Sequence, residues 1–194
     1  MRIVAGRFRG RAIATPEGIS VRPTSDRVRE ALFNILAHGI DGFALEGLRV
    51  LDLFAGTGAL GLESLSRGAA FCLFVEDDAT ARGLVRRNIE TFGLTGQTRI
   101  YRRDATSLGP ALPRERFGLV FADPPYGKGL GVQAMAAAAE GGWLEPGAIA
   151  VLEERAEVAV AWPDGFETLD DRTWGDTTVH FARWSKGTSN GATA

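Results

Sequence analysis

From residue 48 onward the chain alternates short runs that are apolar at nearly every position with longer segments that are apolar only every third or fourth residue. The runs at 49–54, 70–75, 98–103, 117–122 and 148–153 predict strands. The segments at 59–67 and 79–92, a short stretch near 107–112 and another near 131–140 predict helices. A strand apolar on both faces has to be covered on both, and a helix between two strands carries the chain back so that they pair in parallel. The fold class is therefore α/β: a mostly parallel twisted sheet with helices on both faces. After residue 160 the helical periodicity stops. Residues 166–172 and 177–184, flanking Trp174-Gly175-Asp176, predict an antiparallel hairpin that closes one sheet edge.

A chain of 194 residues suffices for one well-buried domain. Ahead of the alternating region, residues 2–14 (RIVAGRFRGRAIA) predict two short strands around Gly6 and Gly10 with arginines along them. Residues 1–20 are thus expected to form a basic β-hairpin extension, 21–184 the main domain and 185–194 a disordered polar tail. The segment SDRVREALFNILAH predicts a helix capped by Thr24 or Ser25, with Val28, Leu32, Ile35 and Leu36 on its inner face. Net charge is −2, which argues against a protein that simply coats nucleic acid. Yet residues 1–30 carry seven arginines against three acids, leaving −6 for the remainder. Arginine bias explains Arg over the chain's two lysines; it does not explain the clustering. Cys72, the single cysteine, sits inside an apolar run and reads as a small buried hydrophobe. No run is long enough to span a bilayer and no signal-peptide core is evident, so a cytoplasmic location is expected.

The first alternating strand runs into Asp52-Leu53-Phe54-Ala55-Gly56-Thr57-Gly58-Ala59-Leu60-Gly61, which is G-x-G-x-x-G between a strand and a helix. Gly56 and Gly58 would let the backbone approach a ligand. The next strand ends at Glu76, twenty residues beyond Gly56, where a carboxylate can accept both hydroxyl protons of a ribose. A dinucleotide would lay its pyrophosphate over the loop, but Asp52 just before the loop opposes phosphate and suits an ammonium. S-adenosylmethionine carries an ammonium, a ribose and an adenine with no phosphate, and fits better. Asp104, at the end of the third strand, is a candidate acceptor for the adenine amine and equally a helix cap.

The fourth strand stops in Phe121-Ala122-Asp123-Pro124-Pro125-Tyr126-Gly127. Two prolines fix the loop and supply no N–H. At the switch point of such a sheet, Asp123 and the Pro124 carbonyl can accept the two N–H bonds of an exocyclic amine, and Tyr126 can stack on its base. The leaving group would be a neutral thioether, so no metal is required.

These residues are similar to those of the amino-directed, adenosylmethionine-dependent methyltransferases. The N-terminal text Arg2-Ile3-Val4-Ala5-Gly6, then Arg9-Gly10-Arg11, and above all Arg22-Pro23-Thr24-Ser25-Asp26-Arg27-Val28-Arg29-Glu30-Ala31-Leu32-Phe33-Asn34, resembles the RsmD family specifically. Gly175-Asp176-Thr177 resembles that family's last hairpin turn. The resemblance implies a Rossmann-like class I methyltransferase that methylates the exocyclic N2 amine of a guanine in 16S ribosomal RNA. It further implies that the segment from Arg22 to Arg29, with Thr24, folds over the cofactor. The basic hairpin, with Arg7, Arg9 and Arg11, then meets RNA in the small ribosomal subunit or its assembly intermediate. A monomer is expected.

Competing readings keep the chemistry and change the substrate to DNA adenine or a protein glutamine, or drop catalysis for an RNA-binding assembly module. Absence of a separate target-recognition domain argues against the first, and the intact Asp123-Pro124-Pro125-Tyr126 set against the second. An NAD-dependent oxidoreductase is disfavoured by Asp52. His38 and His180 lack a triad or metal set, and Glu153-Glu154, which could line the pocket, reads first as a solvated strand terminus.

Overall fold

The computed structural model describes residues 1–16 and 26–185. Thr24, Arg22, the Ser25 cap and nearly all of the tail fall outside the described residues. The elements are α1 (Asp26–His38), β1 (Arg49–Leu53), α2 (Ala59–Ser66), β2 (Phe71–Val75), α3 (Ala79–Phe92), β3 (Thr98–Tyr101), β4 (Phe117–Ala122), α4 (Leu130–Glu140), β5 (Leu144–Arg155), β6 (Phe166–Trp174) and β7 (Thr177–Trp184). Seven strands form one sheet in the order β3-β2-β1-β4-β5-β7-β6, parallel as far as β5 and antiparallel for β7 and β6. The all-apolar runs explain this arrangement. All six residues of β4 are buried, as are the last four of β1 and of β2.

One apolar layer packs α1, α2 and α3 against a face of the sheet through Leu32, Phe33, Leu36, Leu62, Leu65, Val85, Ile89 and Phe92. The opposite layer is made by α4, Leu108, Trp143 and Leu144. The helix expected near 107–112 is a single 3-10 turn, Ala105–Ser107. Gly109, with φ 71°, and Pro110 end it, because proline has neither the N–H nor the room a further turn would need. The inner face of α1 is also shifted from expectation: Arg29 and Phe33 are buried beside Leu32 and Leu36, while Val28 and Ile35 are half-buried.

The N-terminal segment pairs antiparallel as expected, but through one bridge, Arg2 with Ala12, around a 3-10 turn at Gly6–Phe8. Its polar groups are committed to the helices behind it. Glu63 of α2 is fully buried and accepts the N–H groups of Val4 at 2.8 Å and Ala5 at 2.9 Å. Ser66 donates to the Ala5 carbonyl at 2.6 Å and accepts from Phe8 N–H at 3.0 Å. Asn88 of α3 accepts Ala14 N–H at 2.8 Å and donates to the Ala14 and Thr57 carbonyls. Ile3 and Ile13 enter the first apolar layer. Gly6 has φ 79°, and a Cβ there would lie 1.9 Å from the Ser66 carbonyl oxygen, so only glycine allows this approach. The segment is part of the body and forms one wall of the site.

Candidate active site

The order β1-β4 in the middle of the sheet is the switch point, where the chain leaves β1 for β2 on one side and β4 lies on the other. Leu53 pairs with Ala122, so the glycine loop and the Asp123–Gly127 loop leave the sheet side by side. Phe54 follows β1 with φ 61°, a left-handed conformation that a bulky residue holds only where its surroundings impose it, as at ligand sites.

Asp52 is 2 % exposed, and its Oδ2 accepts Gly61 N–H at 3.0 Å. Burial drives its carboxyl up to about 8; the Gly61 hydrogen bond opposes this and the charge of Glu76 adds to it. Glu76, half-buried at the end of β2, bridges two loops, accepting Gly56 N–H at 2.8 Å and Asp78 N–H at 3.0 Å. The glycine-loop amide is thereby already satisfied by an anion, which disfavours a phosphate at the same place. Asp104 is exposed and caps the 3-10 turn, accepting Thr106 N–H at 2.8 Å and the Thr106 hydroxyl at 2.7 Å.

Across the switch point, Asp123 is half-buried and Pro124 buried. Burial, then the charges of Glu153, Asp52 and Glu154, hold the Asp123 carboxyl well above the usual carboxylate range. Tyr126 is half-buried, and its hydroxyl donates to Glu153 Oε1 and lies 3.3 Å from Thr177 Oγ1. Its phenol is pushed up by burial and by the bond to Glu153. Glu154 accepts Gly127 N–H at 3.0 Å. Glu153 and Glu154 are therefore 6 % and 4 % exposed and engaged with the loop, contrary to the solvated terminus expected of them.

A cavity of about 470 Å³ opens between these loops, lined among others by Met1, Arg29, Asp52, Gly56, Thr57 and Asp123. A smaller hollow of about 20 Å³ continues past Phe54 to Glu76, Asp77 and Asp104. The structure thus brings Asp52, Gly56 and Asp123 to one cavity, and Glu76 and Asp104 to its extension. Gly58 lines neither. Its φ of 79° starts α2, and a Cβ there would meet the Phe74 ring at 3.2 Å, so this glycine serves turn and packing. Arg7, Arg9 and Arg11 are exposed and line neither hollow.

Sequence reasoning missed Phe54 and Met1, and reached Arg29 only through the resemblance that placed the Arg22–Arg29 segment over the cofactor. Arg29 is 1 % exposed and donates to Asp26 Oδ1 at 2.8 Å and to the Arg2 carbonyl, with its Nε 3.5 Å from Glu63 Oε2. A buried arginine between apolar positions leaves no periodic signal. Among the described residues, no group of three or more His, Cys, Asp or Glu stands close enough to hold a metal ion. Among the described residues, no helix is long and apolar enough to cross a membrane.

The cavity's donor set suits a cation. Asp52, a buried carboxyl with raised proton affinity, gains most from a positive ligand, which would return it to the ionised form. Residues 1–183 match the model of the family described as Conserved hypothetical protein 95. The chain is 33 % identical over 177 residues to the Haemophilus influenzae protein named ribosomal RNA small subunit methyltransferase D, covering 90 % of this chain and 89 % of that one. The chain belongs to the RsmD family. Among solved structures, the Escherichia coli chain named as a methyltransferase, yhhF, is 32 % identical with a TM-score of 0.81, covering 95 % of this chain and 98 % of that one. The Thermus thermophilus 16S rRNA N2 G1207 methyltransferase RsmC, solved in complex with AdoMet and guanosine, is 26 % identical with a TM-score of 0.60, covering 88 % of this chain and 45 % of that one. The RsmD-family sheet is that of the class I methyltransferases, with its antiparallel closing hairpin.

Proposed function

We propose that this RsmD-family protein transfers a methyl group from S-adenosylmethionine to the exocyclic N2 amine of a guanine in 16S ribosomal RNA of the small subunit. The observation that carries the reading is the Asp123-Pro124-Pro125-Tyr126 loop emerging beside the glycine loop, with Asp123 on the wall of the same cavity as Asp52 and Gly56. S-adenosylmethionine supplies an electrophilic methyl on a sulfonium. Asp52 suits its ammonium and Glu76 its ribose hydroxyls, once the ribose takes over from Gly56 or Asp78 as donor. Asp104 borders the hollow where an adenine would lie.

The guanine amine is planar and weakly nucleophilic, because its lone pair is delocalised into the ring. Asp123 and the Pro124 carbonyl accept its two N–H bonds, favour positive charge developing on nitrogen and aim the lone pair at the methyl carbon. Tyr126 offers a stacking plane for the base. The relatives' names support the RNA substrate, and the bound AdoMet and guanosine of RsmC support the ligand pair.

Single-turnover methyl transfer on small-subunit particles lacking the methyl group tests this. Asp123→Ala is expected to keep cofactor affinity and lose at least about 10²-fold in rate, the magnitude of removing one preorganised partner of a transition state. Asp123→Asn is expected to be slow as well, since it keeps one acceptor oxygen and loses the charge. Near-normal transfer by Asp123→Ala would reduce the loop to a strand terminator and remove the catalytic assignment.

A further inference from the structure

A strand that only had to stop after Ala122 would need no buried charge behind it. Two carboxylates nevertheless lie buried at the end of β5, in a setting where an unsatisfied carboxylate costs several kcal/mol. Both reach the loop, and Glu154 Oε1 also accepts Arg155 N–H at 2.9 Å. Glu153 accepts the Tyr126 hydroxyl, and Glu154 accepts the N–H of the next residue, Gly127. Successive residues of a strand point to opposite faces, so the loop is straddled and not merely touched. The hairpin contributes a third point: Thr177 Oγ1 at the start of β7 lies 3.3 Å from Tyr126 Oη. Thr177 is placed there because β7 pairs antiparallel with β5, with Arg155 opposite Thr177 and Glu153 opposite Val179. On the far side, Gly131 of α4 allows close packing on the loop, since a Cβ there would stand 3.3 Å from Pro124 Cγ and 2.5 Å from Leu152 Cδ1.

We propose that Glu153 and Glu154 are positioning residues for methyl transfer, forming with Thr177 a bracket that fixes the plane of the Tyr126 ring and the aim of the Pro124 carbonyl toward the target amine. This rests on the reading of Asp123, Pro124 and Tyr126 as the residues that meet the amine and its base. The physical demand is strict. A ring that orients a base must itself be held within about 10–20°, and a misplacement of about 1 Å at a reacting centre can cost about 10²-fold in rate. A tyrosine ring on a loop after two prolines has its backbone fixed and its side chain free to turn; a hydrogen bond at the far end of the ring removes that freedom. This assigns the tyrosine hydroxyl to orientation and its ring to stacking. It also makes the closing hairpin part of the site, because Thr177 has no other route to Tyr126.

The test is a double-mutant cycle read in single-turnover transfer on unmethylated small-subunit particles, with cofactor affinity measured by calorimetry. Glu153→Ala is expected to lower the transfer rate about 10- to 100-fold, with KM for the particle and cofactor Kd within about twofold. Glu153→Gln, whose amide oxygen can still accept the hydroxyl, is expected to recover the rate to within about threefold. Tyr126→Phe is expected to lose about as much as Glu153→Ala, and the double variant no more than either. An unchanged rate in Glu153→Ala, or losses that multiply in the double variant, overturns the bracket. Should Glu153→Ala fail to fold, the same cycle run with Glu153→Gln and Tyr126→Phe decides: Gln near wild type with Phe slow supports it, and both near wild type overturns it. Asp123→Ala in the same assay separates the two ideas. Full transfer there removes the underlying reading, whereas lost transfer there beside full transfer in Glu153→Ala removes the bracket alone.

Discussion

Asp52 shows how one residue ties stability to ligand charge. Its carboxyl, near 3.8 in an ordinary setting, is pushed up to about 8 by burial in the folded chain. The folded state therefore keeps a proton that the unfolded chain gives up. A raised carboxyl of this kind contributes stability that is fully present below about 4 and is lost as pH rises toward about 8, at a slope approaching about 1.4 kcal/mol per pH unit. Thermal melts from pH 5 to 8 should show the wild type losing stability relative to Asp52→Asn, since Asn cannot ionise. S-adenosylmethionine should flatten that loss by favouring the charged carboxylate. Parallel melting curves for the two proteins would mean that Asp52 is ionised throughout and its proton plays no part. Asp123 is raised in the same direction by burial and its acidic neighbours, Asp52 among them, so Asp52→Asn trims that second contribution without removing it.

Among the elements, α2 does more than its eight residues suggest. Glu63 takes two backbone N–H groups from the N-terminal segment, a 2.8 Å contact from Arg67 and the approach of Arg29, so one buried carboxylate joins three pieces of chain. Glu63→Ala would leave those donors unpaired in the interior and is expected to destabilise the protein by about 3–5 kcal/mol. Because Met1 borders the cavity, cofactor affinity should fall along with the denaturation midpoint. Urea titration and calorimetry on the same variant check both, and a change below about 1 kcal/mol would contradict the staple. Nothing in the sequence marks Glu63, which reads as one acid in ALGLESLS. What was legible is what has a period or a punctuation mark: the apolar runs of β1, β2 and β4, the helix at Ala79–Phe92, and the proline stop after Ala122. What was not legible depends on contacts between distant residues. Arg29 sits inside α1, Gly58 packs on Phe74, and Glu153 and Glu154 turn inward because the loop offers them donors.

For the whole molecule, the charge cluster of the N-terminus gains a finer division. Arg7 donates to Gln97 and stacks over Phe8, and Arg11 donates to the Thr91 carbonyl at 2.6 Å and lies 4.5 Å from the Phe92 ring centroid. Arg9 is exposed on the same turn. Replacing all three by alanine should weaken binding to the RNA and flatten its salt dependence by about 2–3 in log–log slope, with cofactor affinity nearly unchanged. Arg9→Ala alone should take about one unit of that slope with no loss of melting temperature, whereas Arg7→Ala and Arg11→Ala should also lower stability. An unaltered salt slope in the triple variant would leave the cluster as composition bias.

The strand order has a consequence in time. β7 is inserted between β5 and β6, although it follows both in the chain. While a ribosome is still adding residues 177–184, β1, β2 and β4, with Asp52, Glu76 and Asp123, are already in hand, but β6 has no neighbour and Tyr126 lacks Thr177. A nascent chain paused at that point would hold the cavity residues Asp52, Gly56 and Asp123 before Tyr126 has its contact with Thr177. The contact that Tyr126 makes with Thr177 is thus the product of a strand made more than fifty residues after the loop it touches.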